Sequence, residues 1–116
     1  MTSAIGRGFV EELNDATFSH RIASGLWMVE FWSPDCRPCL AVSPVVHALA
    51  GEYGSVAQFG SVNVDTELKT SLSQRVMGVP TVVLFQDGRP ADVLYTTYPA
   101  HIYRERLMRL VNPSRP

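Results

Sequence analysis

Cys36 and Cys39, in the stretch FWSPDCRPCL, are the only two thiols in a chain of 116 residues. Cysteines at this spacing support three kinds of chemistry: a dithiol–disulfide couple, half of a zinc or iron–sulfur site, or a permanent disulfide. The permanent disulfide is the poorest reading, because a bond between residues three apart closes too small a loop to restrain the unfolded chain much. The N-terminal MTSAIGRGFVEELND lacks the basic-then-apolar pattern of a secretory signal, so the expected compartment is the cytoplasm, where thiols are held reduced. A metal needs two further ligands that a monomer does not offer here, which leaves that reading alive only as a site bridging a dimer.

The rest of the chain must position these thiols. A hydrophobic content of 46% is enough to fill one core, and this length suits one domain, expected to span residues 1–116 with its core at about 9–111 and a frayed tail at 112–116. The net charge of −1 gives no footprint for nucleic acid or an anionic membrane surface, and no window approaches a membrane span. Along the chain, FVEELNDATFSHRIASG reads as a helix with Leu13, Phe18 and Ile22 on one face, ended by Gly25, with a short strand possible near Arg7 to Val10. LWMVEFW has the length and unbroken apolarity of a strand buried on both faces. A helical pattern follows from Cys36 to about Tyr53, with Pro44 inside it and a kink expected there.

VAQFGSVNVD reads as a second strand, and Asp65 as the cap of a helix TELKTSLSQRV whose Leu68 and Leu72 point inward. VPTVVLFQDGRP is a strand running into an Asp-Gly hairpin, and ADVLYTT returns antiparallel. The helix PAHIYRERLMRLV starts at Pro99 and buries Ile102, Leu107, Leu110 and Val111. Strands alternating with helices and closing on a hairpin imply an α/β fold with a mixed sheet.

The apolar strand ends near Trp32 and the next helix begins at the cysteines, with Pro38 in its first turn. Free backbone N–H groups and the positive end of the helix favour a thiolate at Cys36. One turn on, Cys39 can reach back while its sulfur lies deeper. The asymmetry assigns roles: Cys36 attacks a substrate disulfide and Cys39 resolves the mixed disulfide.

Taken in order, VEFWSPDCRPC, Pro44, NVD at 63–65, VMGVPT at 76–81 and FQDG at 85–88 resemble the thioredoxin family over nearly the whole chain, from about Phe9 to Leu110. The resemblance implies a central mixed sheet of four to five strands flanked by four helices. It also implies reduction of protein disulfides with electrons from a flavoprotein thioredoxin reductase, no bound cofactor beyond the Cys36–Cys39 redox disulfide, and a monomer. By resemblance the Val79–Pro80 bond is cis, its loop lies against the cysteines, and the Val79 backbone offers a strand-like edge to a substrate peptide; the plain alternative is a proline at the start of a strand.

Glu30, the only charge in LWMVEFW, takes the place of the family's buried acid, which exchanges a proton with the deeper cysteine through water. Desolvation would raise its carboxyl toward neutrality and make it a base for Cys39; otherwise it is a strand-end acid reaching solvent. Where the family tends to carry a lysine near this acid the chain has Ser61, so Glu30 is expected to lack a cationic neighbour. Trp32 is either a flat rim beside the thiols or an ordinary core aromatic.

Three departures from the family's Trp-Cys-Gly-Pro-Cys and glycine-lined groove stand out. Asp35 and Arg37 place opposite charges beside Cys36 and largely cancel; Arg37, at a position the family points toward substrate, would prevail if either does and would make the disulfide more oxidising. Thr96 replaces a groove glycine and narrows the groove. His20, His47 and His101 are dispersed and expected to face solvent, with no catalytic role. The resulting expectation is a thiol–disulfide oxidoreductase acting on protein disulfides. Two alternatives are a binding or assembly protein on the same scaffold with specialised or reduced redox activity, and the dimer-bridging metal site.

Overall fold

The apolar run LWMVEFW is central because both of its faces are covered. In a computed structural model that describes residues 6–113, it forms strand β2 (Leu26–Trp32), buried along its length except at half-buried Trp32. On one side β2 pairs in parallel with β3 (Gln58–Asn63), in the register Met28↔Phe59 and Glu30↔Ser61. On the other it pairs antiparallel with β4 (Thr81–Gln86), in the register Met28↔Leu84 and Glu30↔Val82. Edge strands β1 (Val10–Glu12) and β5 (Arg89–Tyr95) complete a mixed five-stranded sheet ordered β1-β3-β2-β4-β5.

Side chains alternate across the sheet, and this decides which helix each β2 residue meets. Met28, with Phe59, Val82, Leu84 and Leu94, packs against Val42, Val46 and Leu49 of α2 (Cys39–Tyr53) and against Tyr103 and Leu107 of α4 (Ala100–Val111). Trp27, Val29 and Phe31 pack on the opposite face against Leu13, Phe18 and Ile22. Glu30 has the parity of Met28 and so falls on the α2 and α4 face.

The expected helix near the N-terminus is much shorter than its periodicity suggests: α1 covers only Phe18–Arg21. Two competing interactions explain the difference. Val10–Glu12 finds a partner in β3 and extends as β1, and Asn14 then folds the chain locally, its Oδ1 accepting from the backbone N–H groups of Ala16 and Thr17. The inward-facing residues are nonetheless those of the periodic pattern: Leu13, Phe18 and Ile22 are each at most 3% exposed.

Helix α3 (Leu68–Ser73) departs further. Leu68 and Leu72 are 60% and 77% exposed, and the buried side chains are Thr70 and Ser71. Their hydroxyls have internal acceptors, Asp15 Oδ1 at 2.7 Å and the Glu67 carbonyl at 3.0 Å, which removes the cost of burying them. Asp65 does not cap this helix. Asp15, on the connection between β1 and α1, accepts from the Thr70 N–H at 2.8 Å, and the Asp15 N–H in turn donates to Glu67 at 2.8 Å. A reciprocal cap normally made by near neighbours is thus made across the fold, and it sets the helix's rotation. These hydrogen bonds hold the Asp15 carboxyl below its ordinary value, the Thr70 N–H contributing most.

The hairpin is as expected: Asp87 and Gly88 have φ of 51° and 85°, as a two-residue turn matched to strand twist requires. Ile102, Leu110 and Val111 are half-buried against the core, and Tyr103 and Leu107 fully buried. Arg106 fastens α4 to β5 through a two-pronged pairing with Asp92, one bond being 2.8 Å. Of the tail, residues 114–116 lie outside the described residues. No described helix is long and apolar enough to cross a membrane.

Candidate active site

The loop after β2 delivers the cysteines to the start of α2. The residues from Cys36 to Pro38 form a tight lead-in turn, in which the carbonyls of Cys36, Arg37 and Pro38 accept from Cys39, Leu40 and Ala41, a 3₁₀-like opening common at helix starts. Regular helix begins at Cys39, three residues later than the sequence pattern suggests. Cys36 and Cys39 are joined in a disulfide. The Cys39 N–H donates to Cys36 Sγ at 3.1 Å, so an end-of-helix donor is aimed at the sulfur expected to carry charge.

Exposure separates the two sulfurs as the spacing suggests, with Cys36 half-buried and Cys39 only 3% exposed. Asp35, Arg37 and Pro38 are exposed around them. Trp32 is half-buried and borders two clefts, one of about 480 Å³ toward Asn63 and Glu67 and one of about 210 Å³ toward Glu30.

Glu30 is 1% exposed, which removes the strand-end reading. The Ser43 hydroxyl on α2 donates to its carboxylate. Burial raises the Glu30 carboxyl above its ordinary value, while the Ser43 hydrogen bond and then the charge of His47 oppose that rise. The expectation of an acid without a cationic neighbour is therefore corrected. Ser61 does stand on β3 opposite Glu30, but the basic group comes from α2, four residues beyond Ser43. His47 is exposed, as expected, yet faces the same cleft as Glu30. His20 and His101 are exposed on α1 and α4. The sequence held a signal for Ser43 and His47: they follow Cys39 at i+4 and i+8 on one helix, a single stripe.

The loop before β4 carries the next group of expected site residues. The Val79–Pro80 peptide is cis, Val79 half-buried and Pro80 buried. Thr81 Oγ1 donates to the Gly78 carbonyl at 2.7 Å, and the Thr96 N–H donates to the Pro80 carbonyl at 3.1 Å. Thr96 is exposed, with φ of 61°, and its own carbonyl accepts from the hydroxyl of buried Tyr103. Holding a β-branched residue in the left-handed region costs about 1–2 kcal/mol, against about 0.5–1 kcal/mol of added chain freedom when glycine replaces it. Thr96→Gly is accordingly expected to match or exceed the parent in urea denaturation, by up to about 1 kcal/mol, while reducing bulky disulfides relatively faster than the parent does. A variant that unfolds at lower urea would show that Thr96 makes a contact worth more than its strain.

An accessible sulfur bonded to a buried one, placed where a helix can support a thiolate, is the chemistry of a thiol–disulfide oxidoreductase. A family model described as Thioredoxin matches residues 9–107. The thioredoxin of Staphylococcus epidermidis is 36% identical over 83 residues, covering 72% of this chain and 80% of the relative. Those of Staphylococcus haemolyticus and Staphylococcus aureus are 36% and 35% identical with the same coverage. The chain belongs to the thioredoxin family.

Proposed function

We propose that this protein reduces protein disulfides as a single domain spanning residues 1–116, cycling between a Cys36/Cys39 dithiol and the disulfide. The Cys36 thiolate attacks one sulfur of a substrate disulfide. That bond breaks, a Cys36–substrate disulfide forms, and the departing thiolate takes a proton from solvent. The Glu30 carboxylate then accepts the Cys39 proton through intervening water. Cys39 attacks Cys36 Sγ, the second substrate thiolate leaves, and the internal disulfide remains. Two electrons pass from protein to substrate.

Trp32, Arg37, Pro38, Val79, Pro80 and Thr96 form the substrate groove in this reading, with the Val79 backbone pairing an extended peptide. Electrons return from a flavoprotein thioredoxin reductase, the protein works as a cytoplasmic monomer in cell redox homeostasis and electron transport, and no cofactor is bound. The observation that carries the proposal is the unequal burial of two bonded sulfurs, with a helix-terminal N–H on the outer one.

Catalysed reduction of insulin by dithiothreitol tests it. The parent protein is expected to bring forward the precipitation of the freed chains, and a parent no faster than dithiothreitol alone would refute the reading. The dimer-bridging metal site is not favoured, because the two sulfurs it would draw on are bonded to each other.

A further inference from the structure

Cys39, Ser43 and His47 occupy one stripe of α2, at i, i+4 and i+8, running from the buried sulfur to solvent. The middle residue donates its hydroxyl to Glu30. The outer one shares with Glu30 a cleft of about 210 Å³ whose other walls are Val10, Glu12, Trp32, Ser43 and Ser61. Glu30 is therefore 1% exposed yet borders an opening large enough for several waters. We propose that Ser43 and His47 are positioning residues for the resolving step, Ser43 orienting the Glu30 carboxylate and His47 supplying the positive charge of the cleft through which Glu30 exchanges its proton with solvent. This rests on the role of Glu30 given above.

The groups facing Glu30 from each packed element make the sign of the effect definite. From β1, Glu12 brings a negative charge into the cleft, and from β3 Ser61 brings only a hydroxyl. From α4, Tyr103 is fully buried and interacts with the Glu30 charge. Among the described residues, His47 is the one basic side chain on these walls, and its attraction favours the carboxylate. The form of Glu30 that can accept the Cys39 proton is thus supported from the His47 side of the cleft. Ser43 adds support of the same sign at every pH, because its hydroxyl donates to the ionised form.

The two releases of thionitrobenzoate from Ellman's disulfide separate the steps, the first reporting attack by Cys36 and the second attack by Cys39. His47→Gln is expected to leave the first release unchanged and slow the second about threefold. His47→Lys keeps a basic side chain in the cleft and is expected to retain the parent's second-release rate. In a Glu30→Gln background, replacing His47 is expected to change nothing further. A His47→Gln second release as fast as the parent's, or an effect that persists in full without Glu30, would overturn the assignment while leaving the dithiol cycle intact. A parent that gives no second release would remove the cycle and this inference together.

Discussion

Cys36→Ser is expected to reduce the insulin assay to the rate of dithiothreitol alone. A serine hydroxyl stays protonated where a helix-start thiol ionises, and its oxygen neither attacks a disulfide nor forms one, so no first intermediate arises. The loss is not expected to come from unfolding, since the replaced side chain is half-buried and the bond it loses spans three residues, too short a loop to contribute much stability. Denaturation curves of the variant and the reduced parent should nearly coincide. Cys39→Ser separates the roles: it retains the attack and accumulates the substrate on Cys36, visible by mass as a mixed disulfide. Accumulation on Cys39 in the Cys36→Ser protein instead would reverse the roles assigned by exposure.

Glu30→Gln should separate stability from catalysis. Because burial raises the folded-state carboxyl above its unfolded value, folding takes up a proton in the interval between the two. The stability that goes with protonated Glu30 is complete below the unfolded value, near pH 4, and declines as pH rises through the folded value. Glutamine carries no charge to desolvate and its carbonyl can still accept from Ser43. The variant is expected to be more stable than the parent at pH 7 to 8, with the gap closing near pH 4. Its resolving step should nevertheless slow by roughly tenfold or more, the usual scale for losing a positioned base. Equal urea midpoints at pH 4 and pH 8, or an unaltered second release of thionitrobenzoate, would each count against the buried acid in that capacity.

The parts of this architecture governed by local chemistry were legible in the sequence. LWMVEFW announces a doubly covered strand, Asp87-Gly88 a hairpin, and Cys36 with Pro38 a helix start carrying a thiol. What could not be read locally was decided by partners distant in sequence. Nothing in NDATFSHR discloses that Val10–Glu12 will be claimed by β3, which truncates the first helix. Leu68 and Leu72 look inward by periodicity, but Asp15 fixes α3 by its N-terminal N–H groups and turns Thr70 and Ser71 to the inside. At the site, the family pattern points to Ser61, on the strand beside Glu30, whereas the basic group arrives from the helix above it.

The capping of α3 bears on the order in which the chain folds. A six-residue helix has too few internal hydrogen bonds to persist in isolation, and the carboxylate that secures its first turn lies 55 residues away in sequence. Closing so long a loop is entropically costly until the sheet is in place, so α3 is expected among the last elements to form and among the first to open locally. Native-state hydrogen exchange should find the Thr70 amide opening together with the Asp15 amide, in a cooperative unit that leaves β2 and β4 closed.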